Sequence, residues 1–119
     1  MSQPPNLSPQ DTQEVSRFQS LQQQLEFMMQ QKSSIQHQLD ESTHAIKELE
    51  TAGESATVYK SAGGIFIKSD QKYLLDSTKD RKEELEIRLN SITKQVERIN
   101  KQYEEQKVKI QEINKKLGY

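Results

Sequence analysis

Two long heptad frames constrain this chain more than any other feature. From Phe18 the seam positions step by three and four: Phe18, Leu21, Leu25, Met28, Lys32, Ile35, Leu39, Ser42, Ile46 and Leu49, and eight of these ten are apolar. A second frame runs Leu75, Thr78, Lys82, Leu85, Leu89, Ile92, Val96, Ile99, Tyr103, Gln106, Ile110, Ile113 and Leu117, with ten of thirteen apolar when Tyr103 is counted. Such spacing lines one face of an α-helix and marks a coiled-coil seam. Ser8-Pro9-Gln10-Asp11 predicts the start of a first helix over 8–52. Ser8 serves as N-cap, Pro9 takes the first helical position, where its missing N–H costs nothing, and Asp11 sits near the positive end of the dipole. Gly53 suits the residue just beyond the end. Asp70 or Ser69 caps the second helix and Gly118 ends it, giving 70–117 and a length of about 70 Å at about 1.5 Å per residue. Residues 1–7, with Pro4 and Pro5 among polar neighbours, read as a disordered N-terminal tail.

Composition excludes an ordinary globule. Only 31% of the 119 residues are hydrophobic while 29% are charged, and there is no Trp, so a thick core cannot be filled and an elongated single domain over 8–119 is expected. Lys plus Arg number 17 against 18 Asp plus Glu, which removes any electrostatic pull toward nucleic acid or an anionic membrane. Partners must be reached through apolar contacts. The chain contains no Cys, hence no disulfide framework and no thiolate metal site. The opening MSQPPNLSPQ has neither a basic n-region nor an apolar h-region, and no apolar run approaches membrane-spanning length, so the expected location is cytoplasmic.

Between the helices lies TVYKSAGGIFIKSD, Thr57 to Asp70, the one stretch with β character. Val58 to Lys60 and Ile65 to Lys68 are rich in β-branched and aromatic residues, and Ser61-Ala62-Gly63-Gly64 supplies the positive φ a tight turn needs, so a β-hairpin over 57–69 is expected. A lone two-stranded hairpin is marginal in water and leaves both edges unpaired. Val58, Ile65, Phe66 and Ile67 have nothing within the chain to cover them, and burying such side chains is worth about 1.5–3 kcal/mol each. Hairpins from several chains should therefore join into a larger sheet or closed barrel.

The two seams share a period and a short connection, so the helices should fold back on each other as an antiparallel hairpin. Pairing Leu49 with Leu75 near the turn sets Leu21 against Tyr103, Phe18 against Gln106, Glu14 against Ile110 and Asp11 against Ile113. In that register apolar residues face polar partners at the open end. Phe18, Ile110, Ile113, Leu117 and either Leu7 or Val15 would be incompletely covered there, with Val108, off the seam, adding exposed apolar surface.

Candidate reactive groups have plainer explanations. His37 and His44 lie seven apart on an outer face, about 10 Å along the axis, too far to share a metal ion. Neither stands in a triad-like spacing with a Ser or carboxylate. Gly53 to Lys60 lacks the second glycine of a phosphate-binding loop and leads into a strand. Lys79 to Glu84 mixes both charges as a solvated helix face does. Gln22-Gln23-Gln24 and Gln30-Gln31 continue the heptads as an uncharged helix surface. Met28 fills the seam, Met29 points off it, and Lys82 at a seam position either sets register or snorkels. No enzyme activity, catalytic residue, metal or cofactor is expected.

Val58-Tyr59-Lys60-Ser61-Ala62-Gly63-Gly64-Ile65-Phe66-Ile67-Lys68, set between two long heptad helices, resembles the hairpin of the prefoldin family, whose pattern is V-Y-K-S-x-G-x-I-hydrophobic-I-K. The single hairpin is similar to the β class, archaeal type, since the α class has two hairpins. The resemblance covers the chain beyond its N-terminal tail. It implies a mainly α fold, a long antiparallel coiled-coil helical hairpin whose β-hairpin joins an intersubunit β-barrel. It also implies a hexamer of two α and four β subunits, with coiled coils whose tips hold unfolded polypeptide without ATP and pass it to a group II chaperonin. By position, Val58, Tyr59, Ile65, Phe66 and Ile67 would form the oligomer interface. Phe18, Tyr103, Val108, Ile110, Ile113 and Leu117 would lie at the client-binding tip.

Two other classes fit part of the sequence. A structural coiled-coil scaffold or tether accounts for the heptads but leaves the hairpin and the apolar open end unexplained. A nucleic-acid-binding helical arm requires a basic tip, which this charge balance does not supply.

Overall fold

The computed structural model describes residues 7–118; the tail expected over residues 1–7 lies outside it except for Leu7. Its elements are α1 (Pro9–Ala52), β1 (Val58–Ala62), β2 (Ile65–Ser69) and α2 (Gln71–Lys116). The chain is a mainly α, antiparallel coiled-coil helical hairpin with a two-stranded antiparallel sheet between its helices. Packing divides it into two compact units, one of residues 7–31 with 92–118 and one of Lys32–Ser91.

Local chemistry sets the element ends. Ser8 caps α1: its Oγ accepts from the Asp11 N–H at 3.0 Å, and its carbonyl accepts from the Thr12 N–H at 2.9 Å. These bonds satisfy donors that a helix start otherwise leaves orphaned. At the other end Gly53 takes φ +82 and donates to the Leu49 carbonyl, the left-handed termination that glycine adopts without a Cβ penalty. Asp70 begins α2 in the same manner as Ser8 begins α1, its carboxylate accepting from the Tyr73 N–H at 3.2 Å.

In the unit Lys32–Ser91, Leu85 and Ser42 are buried, while Ile35, Leu39, Ile46, Leu49, Leu74, Leu75 and Leu89 are half-buried along the seam. Gln71, also buried, donates its side-chain amide to the Leu49 carbonyl at 2.7 Å, which ties the first turn of α2 to the last turn of α1. Arg81 on α2 donates to Gln38 on α1 at 3.0 Å, and Lys79 approaches Glu50 to 3.9 Å. These last pairs are exposed, and such contacts contribute little.

In the unit of residues 7–31 and 92–118, Leu21, Ile92, Gln106 and Ile113 are buried. Gln106, only 2% exposed, donates to the Glu14 carbonyl at 2.9 Å and also meets the Glu14 carboxylate. Phe18 stacks on Tyr103. Every buried side-chain polar atom among the described residues has a partner, so the glutamines in the seam carry no desolvation penalty of the kind an unpaired amide would.

These contacts correct the register expected from the sequence. Leu49 meets Gln71 rather than leaving Leu75 as its partner, Phe18 meets Tyr103 rather than Gln106, and Glu14 meets Gln106 rather than Ile110. In both units the pairing lies one helical turn from the expected one. A shift of three or four residues merely exchanges the two kinds of seam position, so the apolar stripe looks the same in either alignment. The buried glutamines and the aromatic pair distinguish the two.

Candidate interaction surfaces

The hairpin is built around its turn. Val58 pairs with Ser69, Tyr59 with Lys68, Lys60 with Ile67, Ser61 with Phe66 and Ala62 with Ile65, leaving Gly63 and Gly64 as a two-residue loop. Both have positive φ, +56 and +84, the backbone of the turn whose twist matches that of paired strands. Space around both glycines is open, so their backbone angles alone demand glycine there.

Successive cross-strand pairs point to opposite sides of a sheet. One face therefore carries Val58, Lys60, Ala62, Ile65, Ile67 and Ser69; the other carries Tyr59, Ser61, Phe66 and Lys68. Both faces are apolar and open. Phe66 is 75% exposed, Ile65 62%, Tyr59 59% and Ile67 50%, with Val58 half-buried. Tyr59 and Phe66 of the second face, with Thr57, Val58, Leu49 and Leu74, line an apolar pocket. The heptad frames give no hint that Leu49 and Leu74 contribute to this pocket. Leu74 stands beside Leu75 of the second frame, and such an adjacent apolar pair is the signal that a second surface exists.

The end where α1 begins and α2 finishes is assembled differently. Phe18 and Tyr103 lie with ring centroids 5.1 Å apart and planes 18° from parallel; Tyr103 is half-buried, and Ile110 and Leu117 are half-buried beside the same seam. Val108 is 52% exposed. Ile113 departs from the expectation of incomplete cover: it is 8% exposed, because the shifted register brings it under the first residues of α1. Around it Asp11, Glu14, Lys109, Glu112 and Lys116 form a charged rim, in which Lys109 lies 3.9 Å from Glu14 and Lys116 4.0 Å from Asp11. Buried Ile113 is thus framed by ion pairs.

Four further exposed apolar side chains, Phe27, Met29, Tyr73 and Ile87, stand off the seams. Of these, the sequence reading marks only Met29 as pointing away from the seam. His37 and His44 sit on exposed helix surface, 2.9 Å from Glu41 and 4.0 Å from Glu48 respectively, each a partner one turn along the same helix. No group of metal-binding side chains is found among the described residues, and no helix among them is long and apolar enough to cross a membrane.

A paired-helix scaffold whose connecting segment is a hairpin with uncovered apolar side chains on both faces defines a class of coiled-coil hairpin subunits. The family model described as Prefoldin subunit matches residues 12–116. The prefoldin subunit beta of Pyrococcus abyssi is 36% identical over 106 residues, which cover 89% of this chain and 91% of that one. That of Methanosarcina acetivorans is 35% identical over the same length and coverage. The fold is similar to the crystal structure of the prefoldin beta subunit from Thermococcus strain KS-1, with a TM-score of 0.79 and 32% identity, covering 91% of this chain and 95% of that one. The chain belongs to the prefoldin subunit family, in its β class. It is therefore a prefoldin-type chaperone subunit, and membership implies assembly with other prefoldin subunits.

Proposed function

We propose that this chain is the β subunit of an ATP-independent holdase. It associates through Val58, Tyr59, Ile65, Phe66 and Ile67 with α-class prefoldin subunits, in a hexamer of two α and four β chains whose hairpins close into β-barrels. Each hairpin leaves two unpaired edges and two apolar faces, and barrel closure covers both. The assembly works in the cytoplasm, holding unfolded or nascent polypeptide and delivering it to a group II chaperonin.

Holding takes place where α1 begins and α2 ends. The observation that carries this reading is the incompletely covered apolar group there, Phe18, Tyr103, Ile110 and Leu117 with exposed Val108. An unfolded segment offers apolar side chains to such a surface, and each contact is weak enough to release. Several subunits acting on one client multiply these contacts through effective concentration. Ile113, buried in the helix pair, supports the surface from beneath.

The test is a Val108→Ser, Ile110→Ser double variant of the full chain, assembled with its partner subunits and assayed for suppression of aggregation of a chemically unfolded model protein. Suppression should fall several-fold while helix content and assembly mass stay constant. Full suppression by an intact variant assembly would remove this end of the helices as the client site.

A further inference from the structure

In the unit of residues 7–31 and 92–118 the apolar seam fits two alignments of α1 with α2, and the structure holds one of them. Phe18 stacks on Tyr103, and one heptad along each helix the same geometry recurs at Leu25 and Val96. A slide of one helical turn, about 5 Å, brings Tyr103 to Leu21, Ile99 to Leu25 and Val96 to Met28. These layers are as apolar as the ones they replace, so the middle of the seam stays dry in either alignment.

A few contacts separate the two. The observed alignment keeps the Gln106 amide on the Glu14 carbonyl and the Phe18–Tyr103 stack, and the same alignment in the unit Lys32–Ser91 keeps the Gln71 amide on the Leu49 carbonyl. The ion pairs of Lys109 with Glu14 and Lys116 with Asp11 use exposed lysines and add little. So small a set of modest contacts places the slid alignment among minor states populated at about 0.1–10%. Residues 53–57, neither helix nor strand, give α1 slack where it joins β1.

The slide changes what the open end offers. Ile113 is 8% exposed beside Gln10, Asp11 and Glu14. After the slide it stands level with the Asp11 carboxylate, which keeps its water, and Ile110 stands level with Glu14. Phe18 loses its ring partner and faces Gln106. One-turn passage of one element past another is an established form of switching in packed proteins.

We propose that α1 and α2 exchange between these two alignments, and that unfolded polypeptide is held by the slid one, in which Phe18, Ile110 and Ile113 are uncovered together. The proposal rests on the reading of this end as the client site. It adds the conformational step that opens the site. A ligand that prefers the minor alignment shifts the population toward it, and locking either alignment must therefore move affinity in opposite directions.

The experiment places two cysteine pairs in the full chain, assembled with its partner subunits. Leu25→Cys with Val96→Cys bridges the observed alignment and Leu25→Cys with Ile99→Cys the slid one, since a disulfide needs Cα atoms within about 7 Å. The chain has no cysteine of its own to interfere. Under mild oxidation the Val96 pair should close several-fold faster than the Ile99 pair. An excess of a cysteine-free, chemically unfolded model protein should speed the Ile99 pair several-fold and slow the Val96 pair. Once closed, the Ile99 bridge should bind that protein several-fold more tightly than its reduced form and the Val96 bridge several-fold less tightly, both reversing on reduction. Closure rates indifferent to the unfolded protein, an Ile99 pair that never closes, or equal binding by the two bridged forms overturns the proposal. The underlying client-site reading fails separately, if the intact Val108→Ser, Ile110→Ser assembly keeps full suppression of aggregation.

Discussion

Phe18 on α1 and Tyr103 on α2 stack with ring centroids 5.1 Å apart, and this aromatic pair marks the alignment of the two helices. Offset aromatic pairs contribute about 0.5–1.5 kcal/mol beyond the area they bury. In a double-mutant cycle of Phe18→Ala and Tyr103→Ala, followed by denaturant unfolding, the two changes should couple by an amount in that range. Strict additivity would show that the rings merely share a neighbourhood.

Alignment itself is open to a chemical test because the chain has no cysteine of its own. Cysteines introduced at Phe18 and Tyr103 should form a disulfide under mild oxidation in high yield, and cysteines at Phe18 and Gln106 in low yield. The reverse ranking would restore the register that the heptads alone suggested.

Gln106 anchors the same alignment with its amide on the Glu14 carbonyl. Replacing Gln106 by Ala removes the bond and leaves a gap in the seam, and should lower stability by about 1–3 kcal/mol. Gln106→Leu preserves volume and should restore much of that stability, but it deletes a group that recognises a particular partner residue. Disulfide trapping in the Leu background should then capture both registers. Trapping of a single register in that background would assign alignment to the contacts that remain, the Gln71 bond to the Leu49 carbonyl among them.

The exposed hairpin makes a separable prediction. Ile65, Phe66 and Ile67 are mostly solvent-accessible in the single chain, so Ile65→Ser with Ile67→Ser should leave its helix content and thermal unfolding nearly unchanged. Association with partner subunits should weaken by about 1.5–3 kcal/mol for each side chain that the complex fully buries. Light-scattering mass measurements across a dilution series report the difference. An unaltered dissociation midpoint would move the interface elsewhere.

At the turn, Gly64 holds φ +84 with open space around it. A Gly64→Val substitution meets a backbone penalty of about 1–2 kcal/mol, whereas Gly64→Asn should cost less, since Asn tolerates left-handed angles. The order should be visible in assembly strength, because a frayed turn cannot present two aligned strands. Equal effects of Val and Asn would mean that the turn does not limit presentation of the strands.

The helices, the hairpin between them and its Gly-Gly turn were all legible in the amino-acid order, because each follows from short-range rules. Seam residues from Phe18 to Leu49 and from Leu75 to Leu117 repeat with helical period, Ser8 and Gly53 carry the end chemistry of α1, and a glycine pair between β-branched runs closes a hairpin. Uncovered apolar residues on the hairpin were equally readable, since nothing nearby in the chain could shield both faces. The pairing of one helix with the other was different in kind. A heptad stripe is nearly indifferent to a slide of one turn, so its period says that two helices meet without saying which residues do. That choice fell to contacts formed only after folding: Gln71 reaching the Leu49 carbonyl, Gln106 reaching Glu14, and two rings closing on each other. The same slide buried Ile113, because burial depends on what stands opposite a side chain rather than on the side chain's own character.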